Sequence, residues 1–164
     1  MAVIYTHSHV DHFGGVRGVV DEADVRAGKV PIIAPEGFME HAVAENVLAG
    51  NAMTRRGHAS SAPRWPLASA ASARAWARRF PWAPWSTVPP TPTVRQTGEE
   101  RVVDGVRIQF LMSNGSGSPA EFAFYFPDMK ALCLSRWSRP TCATSTIRGA
   151  PVADALGWSR PSTA

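Results

Sequence analysis

Cysteine is almost absent from this chain: only Cys133 and Cys142 occur among 164 residues. Two thiols cannot staple a disulfide-rich fold, and their spacing is not that of a zinc finger. They read as one buried thiol and one loop thiol. Long apolar runs are also missing. No stretch approaches the roughly 18 apolar residues of a membrane helix, and no basic stretch followed by an apolar core opens the chain as a secretory signal. Acidic residues are missing from two windows, Glu45 to Glu99 and Asp128 to Asp154. The formal charge of +4 is matched by four arginines between Gly57 and Thr87, a window without a single acid. The basicity therefore belongs to one segment rather than to a designed face, which argues against a nucleic-acid partner.

What remains is an ordinary globular composition, 45% hydrophobic and 18% charged, with enough length for one domain and a real core. Ala2 to Thr6 is apolar and β-branched and reads as a buried strand. A chain that opens inside a core strand needs neighbours to pair with, so the natural start is expected to lie further upstream. Phe13 to Val20 reads as a glycine-assisted turn entering a helix. Lys29 to Ala34 reads as a second strand with Pro31 near its start. Pro35 to Leu48 has helical spacing, with Gly50 as its cap. Arg101 to Val103, Asp104-Gly105 and Val106 to Leu111 spell a hairpin around an Asp-Gly turn. Glu121 to Phe126 and Lys130 to Leu134 read as strands joined by a turn at Pro127-Asp128, and Ile147 to Trp158 as a helix.

Residues 57–87 break this pattern. The segment is built almost wholly of Ala, Arg, Ser, Pro and Trp, with four of the six tryptophans at 65, 76, 82 and 85 and prolines at 63, 66, 81 and 84. Neither a period of 2 nor one of 3.6 organises it, and the prolines interrupt any long helix. An Arg/Trp surface stacking on nucleotides would need a fold to present it. A disordered insertion would normally lack the aromatics. The composition is what a GC-rich gene yields when read out of frame, and Ser135 to Ser145 shares it. A local frame error or gene decay is the expectation for both stretches.

The chemistry is concentrated in Thr6-His7-Ser8-His9-Val10-Asp11-His12. Residues two apart on extended backbone face the same way, so His7 and His9 can converge on one ion. As the chain turns, Asp11 and His12 can serve a second. Imidazole and carboxylate suit zinc, and two ions about 3.5–4 Å apart can share and acidify a water. Three histidines and an aspartate between an apolar strand and a Gly-Gly turn are hard to explain as packing. His41 on its helix and His58 in the odd segment read as incidental.

The His-x-His-x-Asp-His pattern resembles that of the metallo-β-lactamase superfamily. The wider words Ile4 to Gly15, Ile32 to Phe38 with Glu45-Asn46, Thr97 to Ile108 and Pro119 to Asp128 look like those of its alkylsulfatases. The likeness covers residues 2–56, about 88–134 and about 146–160. It implies a partial metallo-β-lactamase αβ/βα sandwich (α/β class) across residues 1–164, truncated at both ends. It implies two zinc ions, held by His7 and His9 and by Asp11 and His12, with Asp11 as the candidate catalytic residue. It also implies hydrolysis of alkyl sulfate esters such as dodecyl sulfate.

The chain departs from that family in its ligand set. A metal-binding glutamate is expected just before the Pro-Ala-Glu block, where Gly115-Ser116-Gly117-Ser118 stands. A bridging glutamate is expected after the Ala-Leu-Cys strand, where Ser135-Arg136-Trp137 stands. A further histidine, the dimerisation region and a sterol-carrier-like domain would lie beyond residue 164. Glu121 is the nearest spare carboxylate, but it matches a strand residue of the family and not a ligand. The expectation is a chain that binds zinc weakly or partially and is inactive by itself. The alternatives are a hydrolase of glyoxalase II or lactamase type, and a non-catalytic gene remnant.

Overall fold

The computed structural model describes residues 1–52, 86–115 and 117–134. The expectations for the 57–87 segment up to residue 85, for the 147–158 helix, for His58 and for Cys142 lie outside the described residues.

The first strand, β1 (Val3–Ile4), pairs in parallel with β2 (Ile32–Pro35), which pairs in parallel with β3 (Thr93–Val94). Strand β2 is buried along its whole length. That is why it reads as a continuous apolar run rather than an alternating one. Pro35 is tolerated as its last residue, where the ladder ends. A second sheet is an antiparallel meander of β4 (Glu100–Val103), β5 (Val106–Met112), β6 (Phe122–Phe126) and β7 (Ala131–Cys133). Its first turn is the expected Asp104-Gly105 pair, with φ of 50° and 80°. Both residues take positive φ, the geometry of a two-residue type I′ hairpin whose twist matches the flanking strands.

The pleat of β2 divides the core. Ile32 and Ala34 face a cluster with Tyr5, Phe13, Val16, Val25, Phe38, Ala42 and Val88. Ile33 faces the other way and packs with Val94, Ile108, Phe110 and Phe122 between the two sheets. The result is helices, parallel sheet and antiparallel sheet in layers, one part of an αβ/βα sandwich.

The helical side differs from the expectation in two places. The stretch after the histidines does not run on into a helix: Val16–Gly18 makes one 3-10 turn, and α1 begins only at Glu22–Arg26. Glycines and β-branched valines are poor helix formers. Asp21, by contrast, caps α1 by accepting the Ala23 N–H at 2.9 Å. The second helix is present, but α2 (Phe38–Val43) passes into a π-helical turn over Ala44–Leu48. That turn closes with Ala49 N–H donating to the Ala44 carbonyl at 2.9 Å. Gly50 therefore opens a further helical turn instead of capping the helix.

Candidate metal centre

The histidine loop starts where β1 ends. Beyond it, His7 makes an antiparallel bridge with Glu121 at the head of β6, and the chain bends at Ser8. The Phe122 N–H donates to the Thr6 carbonyl at 3.1 Å. The loop is thus the place where the two sheets are tied together. After His9, still extended at φ −74° and ψ 134°, the chain folds into a 3-10 turn over Val10–His12. His12 N–H closes that turn on the His9 carbonyl at 3.0 Å.

This backbone gathers the imidazoles. The His7 and His12 ring centroids are 4.0 Å apart, and those of His7 and His9 are 4.8 Å apart. His7 and Ser8 are fully buried and His9 nearly so. Thr6 Oγ1 lies 3.0 Å from His7 Nδ1, while His7 Nε2 is itself a buried atom. Asp11 and His12 stand at the rim, with Asp11 Oδ2 3.5 Å from His12 Nε2. His9 is extended and His7 lies in a bridge, with a bend at Ser8 between them. His12 lies beside His7, closer to it than His9 does.

Residues outside the motif complete the surroundings. Ser8 Oγ donates to Glu45 Oε2 at 3.1 Å and lies 2.6 Å from Ser118 Oγ. Asn46 Nδ2 donates to the Ser8 carbonyl at 3.2 Å. Glu45 Oε2 is 3.9 Å from His9 Nε2. Glu121, set aside on sequence grounds, is fully buried. Its Oε2 accepts the N–H groups of Gly117 and Ser118 at 3.0 and 3.1 Å. A Cβ added at Gly117 would meet that same oxygen at 3.1 Å. One signal for Glu121 was available in the sequence: a carboxylate heading an otherwise apolar strand is rarely buried without a purpose. Glu45-Asn46 stood out in the sequence only as part of the family likeness, because their contacts depend on the π-helical turn.

The donor set fits zinc in kind, with three imidazoles and a carboxylate on one loop and the deepest of them out of solvent. It is short in number: among the described residues no three His, Cys, Asp or Glu side chains are gathered so as to hold an ion. Away from this loop, Tyr5 has its ionisation pushed above the ordinary 10.0, chiefly by burial and partly offset by its hydrogen bond to Val88. Its hydroxyl donates to the Val88 carbonyl at 3.2 Å and so anchors the strand that delivers the histidines.

The chain resembles known proteins over nearly its whole length. Residues 1–131 match the metallo-β-lactamase superfamily profile. A linear primary-alkylsulfatase from Pseudomonas sp. is 49% identical over 162 residues, 98% of this chain and 24% of the relative. An (R)-specific secondary-alkylsulfatase from Pseudomonas sp. is 43% identical, over 97% of this chain and 24% of the relative. An alkyl/aryl-sulfatase from Saccharomyces cerevisiae is 38% identical, over 96% of this chain and 25% of its own length. The solved structure of a stereoselective inverting sec-alkylsulfatase from Pseudomonas sp. superposes with a TM-score of 0.74 at 38% identity, covering 98% of this chain and 26% of that one. The chain spans about a quarter of the length of the curated relatives it matches. With its histidine loop, its two-sheet sandwich and these matches, the chain belongs to the metallo-β-lactamase superfamily, and the relatives it resembles are alkylsulfatases.

Proposed function

We propose that this chain carries the metal loop of a hydrolase of alkyl sulfate esters, with His7, His9, Asp11 and His12 as its protein ligands for zinc. The observation that supports this best is the contact of three imidazoles on one loop, His7 with the buried His9 and His7 with His12 at the rim. The alkylsulfatase names of the relatives supply the substrate class. The reaction adds water to R–O–SO₃⁻ and yields the alcohol and inorganic sulfate. Zinc bound at such a loop supplies Lewis acidity that activates water and offsets charge on the departing sulfate.

The chain's own residues have simpler tasks. His7 and His9 present nitrogen donors from a dry, hydrogen-bonded backbone, so little rearrangement is needed when a cation arrives. Asp11 brings negative charge to the rim, and with His12 it holds the outer side of the site. Glu121 ties the 117–118 backbone to the head of β6, keeping Ser118 against Ser8 of the loop. Two or fewer protein ligands per ion is below what a working zinc site needs. The 164-residue chain alone is therefore expected to bind zinc weakly and to leave dodecyl sulfate unhydrolysed.

The test is to resequence the coding region with several hundred bases on each side, express what it encodes, and assay sulfate release from dodecyl sulfate. Restoration of a glutamate near residue 117, another near 136 and a downstream histidine, with chelator-sensitive sulfate release, is the expected result. Turnover of thioesters or β-lactams instead would move the chain to a glyoxalase II or lactamase type of activity. A confirmed sequence with neither zinc uptake nor turnover in the encoded protein would identify a remnant and overturn the proposal.

A further inference from the structure

We infer that Ser8 is the positioning residue of the metal loop: by holding the bend between His7 and His9, it sets how the two imidazoles face a cation. The inference rests on the proposed reading of His7 and His9 as zinc ligands.

Residues two apart on regular extended backbone stand roughly 6.5–7 Å apart along a strand. The His7 and His9 ring centroids are only 4.8 Å apart, and the rings meet edge to face at 87°. Between them the chain bends at Ser8. A buried bend gives up regular strand pairing, so other groups must hold its backbone.

Three contacts converge on Ser8, which is fully buried. Asn46 Nδ2 donates to the Ser8 carbonyl at 3.2 Å and to the Ala42 carbonyl at 2.8 Å. That Ser8 carbonyl belongs to the peptide bond into His9, so one amide fixes the plane from which His9 departs. The Ser8 hydroxyl donates to Glu45 Oε2 at 3.1 Å and lies 2.6 Å from Ser118 Oγ. A hydroxyl has one proton. With that proton given to Glu45, Ser118 is the donor in the shorter contact. Ser118 is itself fully buried, and its N–H donates at 3.1 Å to Glu121, the residue that bridges to His7. Ser8 is thus held both from the π-helical turn and from the segment that pairs with His7. Burying two hydroxyls costs stability unless they are hydrogen-bonded, and alanine would fill nearly the same space. The direction that these bonds impose on the bend, rather than packing, accounts for the pair. Such a satisfied polar network rigidifies the groups it joins.

The test uses the full 164-residue chain, first metal-free. Nuclear Overhauser contacts between the ring protons of His7 and His9 are expected in the native chain. Ser8→Ala should lose them, with the amide signals of Phe110 and Phe122 unmoved. Chelator competition should then show zinc affinity lowered by about 10–100-fold. Ser118→Ala, which keeps the Glu45 and Asn46 contacts, should fall between native and Ser8→Ala. Ser8→Thr, which keeps the hydroxyl, should lie closer to native than Ser8→Ala does. A residue that merely packs would lower resistance to urea without moving ring geometry or zinc affinity in the folded chain. A native chain without the His7–His9 contacts overturns the inference and requires no variant. Unchanged contacts and affinity in Ser8→Ala overturn it equally, as they do in Ser118→Ala should Ser8→Ala fail to fold. A native chain that takes up no zinc, while its His7–His9 contacts depend on Ser8, would defeat the metal reading and leave the positioning role standing.

Discussion

The two halves of the histidine loop are held in different ways. Thr6 to His9 is built into the fold: it bridges to Glu121, its backbone accepts from Phe122 and Asn46, and its side chains lie buried against Glu45 and Ser118. Val10 to His12 is a single 3-10 turn, with no buried residue, closed on His9 and standing at the rim. The first half is thus preorganised by long-range hydrogen bonds, whereas the second takes its order from its own 3-10 turn and from Val10 packed on the core. In a two-ion site this predicts unequal affinities, with the inner position filled first.

Substitutions can break or sharpen that contrast. The largest effect is expected from Phe122→Ala, which opens a cavity between the sheets beneath the inner half and should cost about 3–5 kcal/mol, read by chemical denaturation. Next comes Glu121→Gln. It replaces a buried carboxylate that accepts two backbone N–H groups, and should cost about 1–3 kcal/mol with faster amide exchange at Gly117 and Ser118. Tyr5→Phe removes one hydrogen bond, about 1 kcal/mol, and carries a pH signature. Because the Tyr5 pKa is raised in the fold, the stability tied to its neutral form is complete below about 10 and is lost as pH climbs through the raised value. The phenylalanine variant should lack that alkaline loss in a urea series against pH. The smallest effect on stability belongs to the outer half. Asp11→Asn should leave unfolding within about 0.5 kcal/mol of native while reducing zinc uptake measured by competition. Equal destabilisation by Asp11→Asn and Glu121→Gln would erase the distinction.

The same contrast marks what can be read from the chain alone. The hairpin at Asp104-Gly105 was legible because both residues carry their own conformational preference. Strand β2 was legible because a fully buried strand is apolar throughout. The motif itself was legible because His7 and His9 sit at the spacing of extended backbone. The parts that stayed hidden are those set by distant partners. The glycine- and valine-rich stretch after the motif looked like a helix entry, yet the cap that starts α1 is Asp21. The π-helical turn that points Glu45 and Asn46 at Ser8 has no local signature. Glu121 was visible as a carboxylate, but only its bridge to His7 reveals where it sits.

The tie between the histidine loop and β6 also has a kinetic side. The contact between Ser8 and Ser118 spans 110 residues, so the loop cannot reach its final form until the second sheet has been made. On a growing chain, synthesised at about 5–20 residues per second, the histidines emerge before the strand that supports them, since Ser8 precedes Ser118 by 110 residues. Closing so long a loop carries an entropic cost that rises only slowly with its length, but the order of events is fixed. Any cation captured before β6 docks meets a floppy peptide with exposed imidazoles. On the proposed zinc reading, the cation would therefore enter this site after folding or compete with it.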